Sequence, residues 1–144
     1  MRDASLEAAV RRIYDRYVQE FVEPFGFCPW AKKARESGAV SVRVCDDVPW
    51  SAAWAKDTYD DIAAQPHLDI GILIFPRLRE SGVLFGERVN AFLSQMEAAT
   101  TAGPAPMVMA PFHPDAPDDA STIGRLTTFI RRAPDPTIQL VRAT

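Results

Sequence analysis

The run Leu68-Asp69-Ile70-Gly71-Ile72-Leu73-Ile74-Phe75 constrains the fold more than any other stretch of the chain. Apart from Asp69 and Gly71 it is apolar at both odd and even positions. Side chains of a strand alternate between two faces, so this strand must bury both of them, as a central strand does. Such a strand needs helices above and below it, and helical patterns flank it in the sequence. Trp50 to Ala64 reads as a helix ended at Pro66. Phe85, Val89, Phe92, Leu93 and Met96 form the apolar stripe of another, stopped by Gly103 and Pro104.

The other segments supply partners for that strand. Leu6, Val10, Ile13, Tyr14, Tyr17, Val18 and Phe21 recur at helical spacing, with Ser5 or Asp3 as the cap and Pro24 with Gly26 as the stop. A short helix follows, with Cys28 at its N-cap, Pro29 at the first helical position and Gly38 as the C-terminal stop. Val40, Val42 and Val44 alternate with Ser41, Arg43 and Cys45 as a half-buried strand does. Met107 to Phe112 is a third strand, whose Pro111 places it near an edge. Ser121 to Arg132 is a further helix, broken by Pro134-Asp135-Pro136. Thr137 to Arg142 is apolar without a period that separates helix from strand. Strands alternating with helices imply crossovers between parallel neighbours. The expected fold is therefore one α/β domain over residues 1–144. It has a mostly parallel sheet of three to four strands, a βαβαβ core and an added N-terminal helical pair.

Composition narrows the function. The 144 residues suit one domain, and 47% hydrophobic with 24% charged residues is ordinary for a globular chain. The formal net charge is −3 and no segment concentrates Lys and Arg, which argues against nucleic acid as a ligand. The apolar run at Ile70 to Phe75 is far shorter than a membrane span. The N-terminal residues lead into an amphipathic pattern with Glu7, Arg11, Arg12 and Asp15 instead of an apolar signal core, so a cytoplasmic protein is expected. Its two cysteines, Cys28 and Cys45, are then expected as free thiols. With His67 and His113 they lack the close spacing of a zinc knuckle.

In open α/β sheets ligands bind outside the carboxyl ends of the strands, where helix N-termini also direct their partial positive charge. Here those ends carry Cys45-Asp46-Asp47, Pro76-Arg77-Leu78-Arg79 and His113-Pro114-Asp115, while His67 falls at the opposite edge. If the short helix returns antiparallel to the first strand, Cys28 joins this rim. At a helix N-terminus its thiolate would be stabilised, with Lys32 adding to the effect. The plainer reading is a small, buried, inert cysteine. His113 follows a strand, where a base or ligand would be useful, although a lone histidine at a loop start is more often a local hydrogen-bonding residue. Arg77 and Arg79 can hold an anion or be solvated. Arg131 and Arg132 suit the dipole at a helix C-terminus. Trp30, Trp50 and Trp54 are core residues at helical positions or the lining of a pocket for a flat ligand.

Three segments carry a resemblance. Phe21 to Lys32, with Phe27-Cys28-Pro29-Trp30-Ala31-Lys32 at its end, resembles the signature of the bacterial domain-of-unknown-function family 1415, whose members read Asn-Leu-Cys-Pro-Phe-Ala-Lys there. Ala110-Pro111-Phe112-His113-Pro114-Asp115 is similar to its Phe-His-Pro motif. Arg132-Ala133-Pro134-Asp135-Pro136, followed by Ile138 to Arg142, is similar to its Arg-Ser-Pro-Tyr-Pro motif and the leucine-rich stretch ending in arginine. Gly26-Phe27, Trp30, Asp135 and the short tail after Arg142 depart from the pattern, as in a divergent, shortened member. The resemblance implies no activity. It selects Cys28, Pro29, Lys32, His113, Pro114, Arg132 and Arg142 as motif positions.

The expected function is a small-molecule enzyme in which Cys28 is a nucleophilic or redox thiolate, His113 its base or ion-pair partner and Arg132 an anion clamp, with Lys32, Arg77 and Arg142 as further substrate contacts. The expected ligand is a small anionic molecule, not nucleic acid or a membrane. Cys-Pro-Trp-Ala lacks the second cysteine of a thioredoxin-like motif. One alternative is a haem- or metal-binding protein with Cys28 or His113 as ligand. Another is a non-catalytic interaction protein whose motifs maintain the fold.

Overall fold

A computed structural model describes residues 4–19, 31–99, 107–115 and 133–142. The expected helix over Ser121 to Arg132 lies outside the described residues, as do Cys28, Trp30 and Arg132. The elements in order are α1 (Ala4–Tyr17), α2 (Ala31–Glu36), β1 (Val40–Val44), α3 (Ala52–Ala63), β2 (Ile70–Ile74), α4 (Gly82–Ala99), β3 (Met107–Phe112) and β4 (Thr137–Arg142).

Local chemistry sets several of these ends. After α2, Gly38 takes φ +75°, a left-handed conformation that a Cβ disfavours. This lets the Ala39 N–H donate to the Ala34 carbonyl (2.8 Å) and the Gly38 N–H to the Arg35 carbonyl (3.3 Å). That pair of bonds is a Schellman cap, and the buried Ala34 and Ala39 supply its apolar contact. The chain is thereby aimed directly into β1. Ser51 caps α3, its Oγ accepting from the Trp54 N–H at 3.0 Å. Ser81 does the same for α4, accepting from the Leu84 N–H at 3.2 Å.

The sheet order is β1-β2-β4-β3. β1 and β2 are parallel, whereas β4 is antiparallel to both β2 and β3. The expected α/β domain is found, but its sheet is mixed and mostly antiparallel, not mostly parallel. The reason lies in Thr137–Arg142, the segment without a readable period, which is a strand and inserts between β2 and β3. Because β4 is antiparallel to both, β1, β2 and β3 still run in the same direction.

Strand alternation then separates two apolar layers. On one face Leu73, Ile138, Leu140 and Met107 pack against Ala55, Tyr59 and Ile62 of α3 and Phe85, Val89, Phe92 and Met96 of α4. On the other, Val44, Ile70, Ile72 and Ile74 meet Val10 of α1 and Ala34 of α2. Every residue of β2 is buried, as its sequence requires. Tyr59 ties the first layer to the sheet edge, its hydroxyl donating to the Met107 carbonyl (3.3 Å) and accepting from the Met107 N–H (3.2 Å). Among the described residues no helix is long and apolar enough to cross a membrane.

Candidate functional site at the carboxyl edge of the sheet

The register brings the loop ends together. Val44 pairs with Ile74, Ile74 with Thr137, and Thr137 with Phe112. Cys45-Asp46-Asp47, Pro76-Arg77 and His113-Pro114-Asp115 therefore leave the sheet at one edge, as the sequence indicated. Asp135 and Pro136 enter β4 there, and α4 starts nearby.

His113 is buried at this edge with both ring nitrogens engaged. Its Nε2 lies 2.9 Å from the Glu80 carbonyl, so that nitrogen carries a proton and donates it. Nδ1 lies 3.1 Å from the Asp115 backbone nitrogen and 2.6 Å from Asp115 Oδ1. A neutral ring accepts from the Asp115 amide, and a protonated ring donates to the carboxylate. The Asp115 carboxylate also lies against the first turn of α4, where a Cβ on residue 82 would collide with its Oδ1. Glycine at position 82 permits this approach, and a carboxylate suits a helix N-terminus. His113 thus braces the loop after β3 against α4. Proton transfer through Nε2 would require release of the Glu80 carbonyl, and ligation of a metal or haem through Nδ1 would require displacement of Asp115.

A second group of charges stands behind this brace. Glu80 accepts two bonds from Arg88, at 2.6 and 2.9 Å, and these hold its carboxyl below the usual carboxylate range. The Arg88 guanidinium in turn lies 4.9 Å from the centre of the Trp50 ring. Trp50 packs against Phe75 with ring centres 4.8 Å apart, and Trp54 stands nearly perpendicular to the same ring with centres 5.5 Å apart. Both indoles therefore belong mainly to the core.

At the end of β1, the Arg77 Nε donates to the Asp46 carbonyl at 2.7 Å, joining the first two loops. Cys45 is 1% exposed and lies in the core layer beneath α3 and α4. The sequence reading put it on the polar face of a strand. It falls instead just past β1, where its side chain turns under the helices and donates to the Val48 carbonyl at 3.6 Å. Burial first, and the negative charge of Asp47 next, push its thiol up to about 11, so it is neutral at physiological pH. Burial also raises the Asp135 carboxyl, opposed by Arg79.

Arg142 stands apart from this edge. β4 runs opposite to β1, β2 and β3, so its last residue lies at their amino ends. There the guanidinium donates to the carbonyls of Leu68 (2.8 Å), Gln65 (2.9 Å), Ile62 (3.2 Å) and Ala63 (3.3 Å), closing the C-terminus of α3. Arg142 and His113 therefore lie at opposite edges of the sheet. Arg77 and His113 do share an edge. Lys32 is in α2, with its side chain outside the described residues.

The structure adds Glu80 and Gly82, and it gives contacts to Asp46 and Asp115, which the sequence placed at this rim without a role. The Glu80-Ser81-Gly82 run before an apolar helical stripe was the available signal for that helix start, but its pairing with the loop after β3 is non-local. A cleft of about 280 Å³ opens beside β1, walled by Glu7 and Arg11 of α1, Arg43 and Val44 of β1, Asp46 and Asp47, and Trp54 and Thr58 of α3. Among the described residues no group of three or more His, Cys, Asp or Glu side chains is arranged to hold a metal ion.

Fold and edge together define a small α/β domain whose polar loops gather at the carboxyl end of a mixed sheet. The model of a family described as proteins of unknown function, DUF1415, matches residues 1–144, and the chain belongs to that family. No curated protein and no solved structure matches the chain.

Proposed function

We propose that the chain is a cytoplasmic enzyme acting on a small anionic molecule at this carboxyl edge, with a Cys28 thiolate as its reactive group. Arg77 and Arg132 supply positive charge for the substrate, and Lys32 supports the thiolate. His113 serves as a positioning residue, holding the loop after β3 on α4, and adds positive charge beside Asp115 when its ring is protonated. The observation that carries the reading is the common direction of β1, β2 and β3, which gathers their loops at the edge where α/β sheets bind ligands. A net charge of −3 without a basic patch favours a small molecule over nucleic acid.

Alkylation kinetics test it. Iodoacetamide should modify Cys28 faster than Cys45 below pH 8, because Cys45 is buried and its thiol is pushed up to about 11. The His113→Ala variant should slow Cys28 with its circular dichroism unchanged. Equal rates at the two thiols, measured by mass spectrometry across a pH series, would overturn the thiolate reading. So would a slow Cys28 indifferent to His113→Ala.

A further inference from the structure

The outer strands of the sheet are β1 and β3, and the chain treats their free sides differently. At β3 the Met107 N–H and carbonyl both meet the Tyr59 hydroxyl, so they point away from β4. By alternation Met109 and Pro111 turn their peptide groups the same way. Proline has no N–H, so among the described residues of β3 only Met109 keeps an outward N–H that the fold does not already use. This edge is nearly closed to another strand. At β1 the Ile70 N–H donates to the Ala39 carbonyl at 3.1 Å, and the Cys45 N–H donates to the Ile74 carbonyl at 2.9 Å. Ala39, Ser41, Arg43 and Cys45 therefore turn their peptide groups toward β2, and Val40, Val42 and Val44 turn theirs outward. Among the described residues no strand lies beside them. Nor do the helices seal this side, since the cleft between α1 and α3 opens at Val44.

An open edge is a template for pairing, and chains that stay single blunt it with proline, charge or a covering segment. β1 contains no proline, and its only charged residue, Arg43, is turned to Asp61 at 2.8 Å within its own chain. The outward pattern is also self-complementary. Antiparallel pairing about Val42 sets Val40 against the partner's Val44 and Val42 against the partner's Val42, and each such pair exchanges both of its bonds. Every outward N–H and carbonyl of β1 is then matched by a twofold axis, which closes the assembly at two copies. On the face toward α3, Arg43 stands opposite the partner's Ser41, so like charges are not directly opposed. Within its own chain the Arg43 Nε already donates to a Ser41 hydroxyl at 2.7 Å. Past the strand, exposed Asp47 runs toward the partner's α2, whose last turn carries Lys33 and Arg35. Apolar side chains also remain exposed on the elements at this border, Ile13 of α1 at 47% and Val48 at 38%.

We propose that β1 is a dimerisation strand, joining β1 of a second copy of this chain in antiparallel register to make one continuous sheet across a twofold axis. The antiparallel arrangement sends the carboxyl edges of the two copies in opposite directions. Each copy therefore keeps its own loops free, and the dimer does not depend on the proposed function.

Analytical ultracentrifugation of the full chain across a concentration series tests it. The mass should approach twice 16.0 kDa at high concentration and fall toward the single chain on dilution. Hydrogen exchange read by NMR over the same series should show the Val40, Val42 and Val44 amides protected in the dimer and fast in the monomer. The Ser41 and Arg43 amides, bonded to β2, should stay protected in both. Val42→Pro removes an outward N–H that the β1–β2 ladder does not use, a position where an edge strand tolerates proline. Both copies lose that donor, so the dissociation constant should rise about tenfold to a hundredfold while the circular dichroism of the monomer is unchanged. A monomer at every concentration overturns the proposal, including one that pairs β1 with an added extended peptide instead. A dimer whose valine amides still exchange freely overturns it as well, because the interface then lies elsewhere. Species that grow beyond two copies overturn the twofold pairing.

Discussion

Replacing Arg142 by methionine removes the guanidinium and keeps an apolar stem of similar reach. Two of the four carbonyl bonds are short, to Leu68 at 2.8 Å and Gln65 at 2.9 Å, and count most. The bonds to Ile62 and Ala63, at 3.2 and 3.3 Å, are longer and add less. A hydrogen bond from a charged donor contributes about 1.5–3 kcal/mol, and a cation at a helix C-terminus about 0.3–1 kcal/mol. These terms overlap, since water replaces part of what is lost at a half-buried site. The expected loss is about 3 kcal/mol, a Tm lower by roughly 6–12 °C for a domain near this size. Urea unfolding followed by far-UV circular dichroism measures it as a lower midpoint at unchanged slope. Arg142→Lys, which keeps the charge without the fork, should recover part of the loss. The proposed function puts Cys28 at the opposite edge from Arg142, so its alkylation rate should be the same in all three proteins. A loss below about 1 kcal/mol would refute the cap, and a change in Cys28 reactivity at unchanged stability would return Arg142 to the site.

Two further outcomes follow from buried polar groups. The Cys45 thiol is raised in the folded chain, so the native state holds its proton where the unfolded state releases it. Its stabilising contribution is complete below the unfolded thiol value of about 8.5, declines as pH rises, and is gone past about 11; chemical denaturation at pH 8 and pH 10.5 should show Cys45→Ala less pH-dependent than the parent. Tyr59→Phe leaves the Met107 N–H and carbonyl without the hydroxyl they share and should destabilise by about 1–2 kcal/mol, read from the same urea transitions; an unchanged midpoint would mean that water replaces it fully.

Elements with strong local signals were legible in the sequence. The doubly apolar pattern of Leu68 to Phe75 identified β2, Met107 to Phe112 matched β3, and Gly38 marked the end of α2. The strand order was not legible, because it depends on Thr137–Arg142. That segment is short and has Ile138, Leu140 and Val141 without a single period, and its partners lie far away in sequence. The site was half legible for a related reason. Direction along the strands put Arg77 and His113 at one edge despite the wrong sheet, because inserting an antiparallel strand preserves the direction of its neighbours. Arg142 was selected by the resemblance and not by strand direction, and it ends at the other edge because it lies on the inserted strand itself. The contacts of His113 with Glu80 and Asp115 depend on how α4 meets the loop after β3, which no local pattern encodes.

The central place of β4 has a consequence for how the molecule assembles. Two of the three strand ladders are made by residues 137–142. Before those residues arrive, β1 and β2 can form a parallel pair, but β3 has no strand beside it among the described elements. The α4–β3 unit must therefore wait beside an open gap whose unpaired peptide groups are also a template for another chain. Formation of the full sheet becomes a single late closure over long sequence separation, the kind of step that slows folding. The strand that keeps the three loops facing one edge is the one on which the sheet must wait.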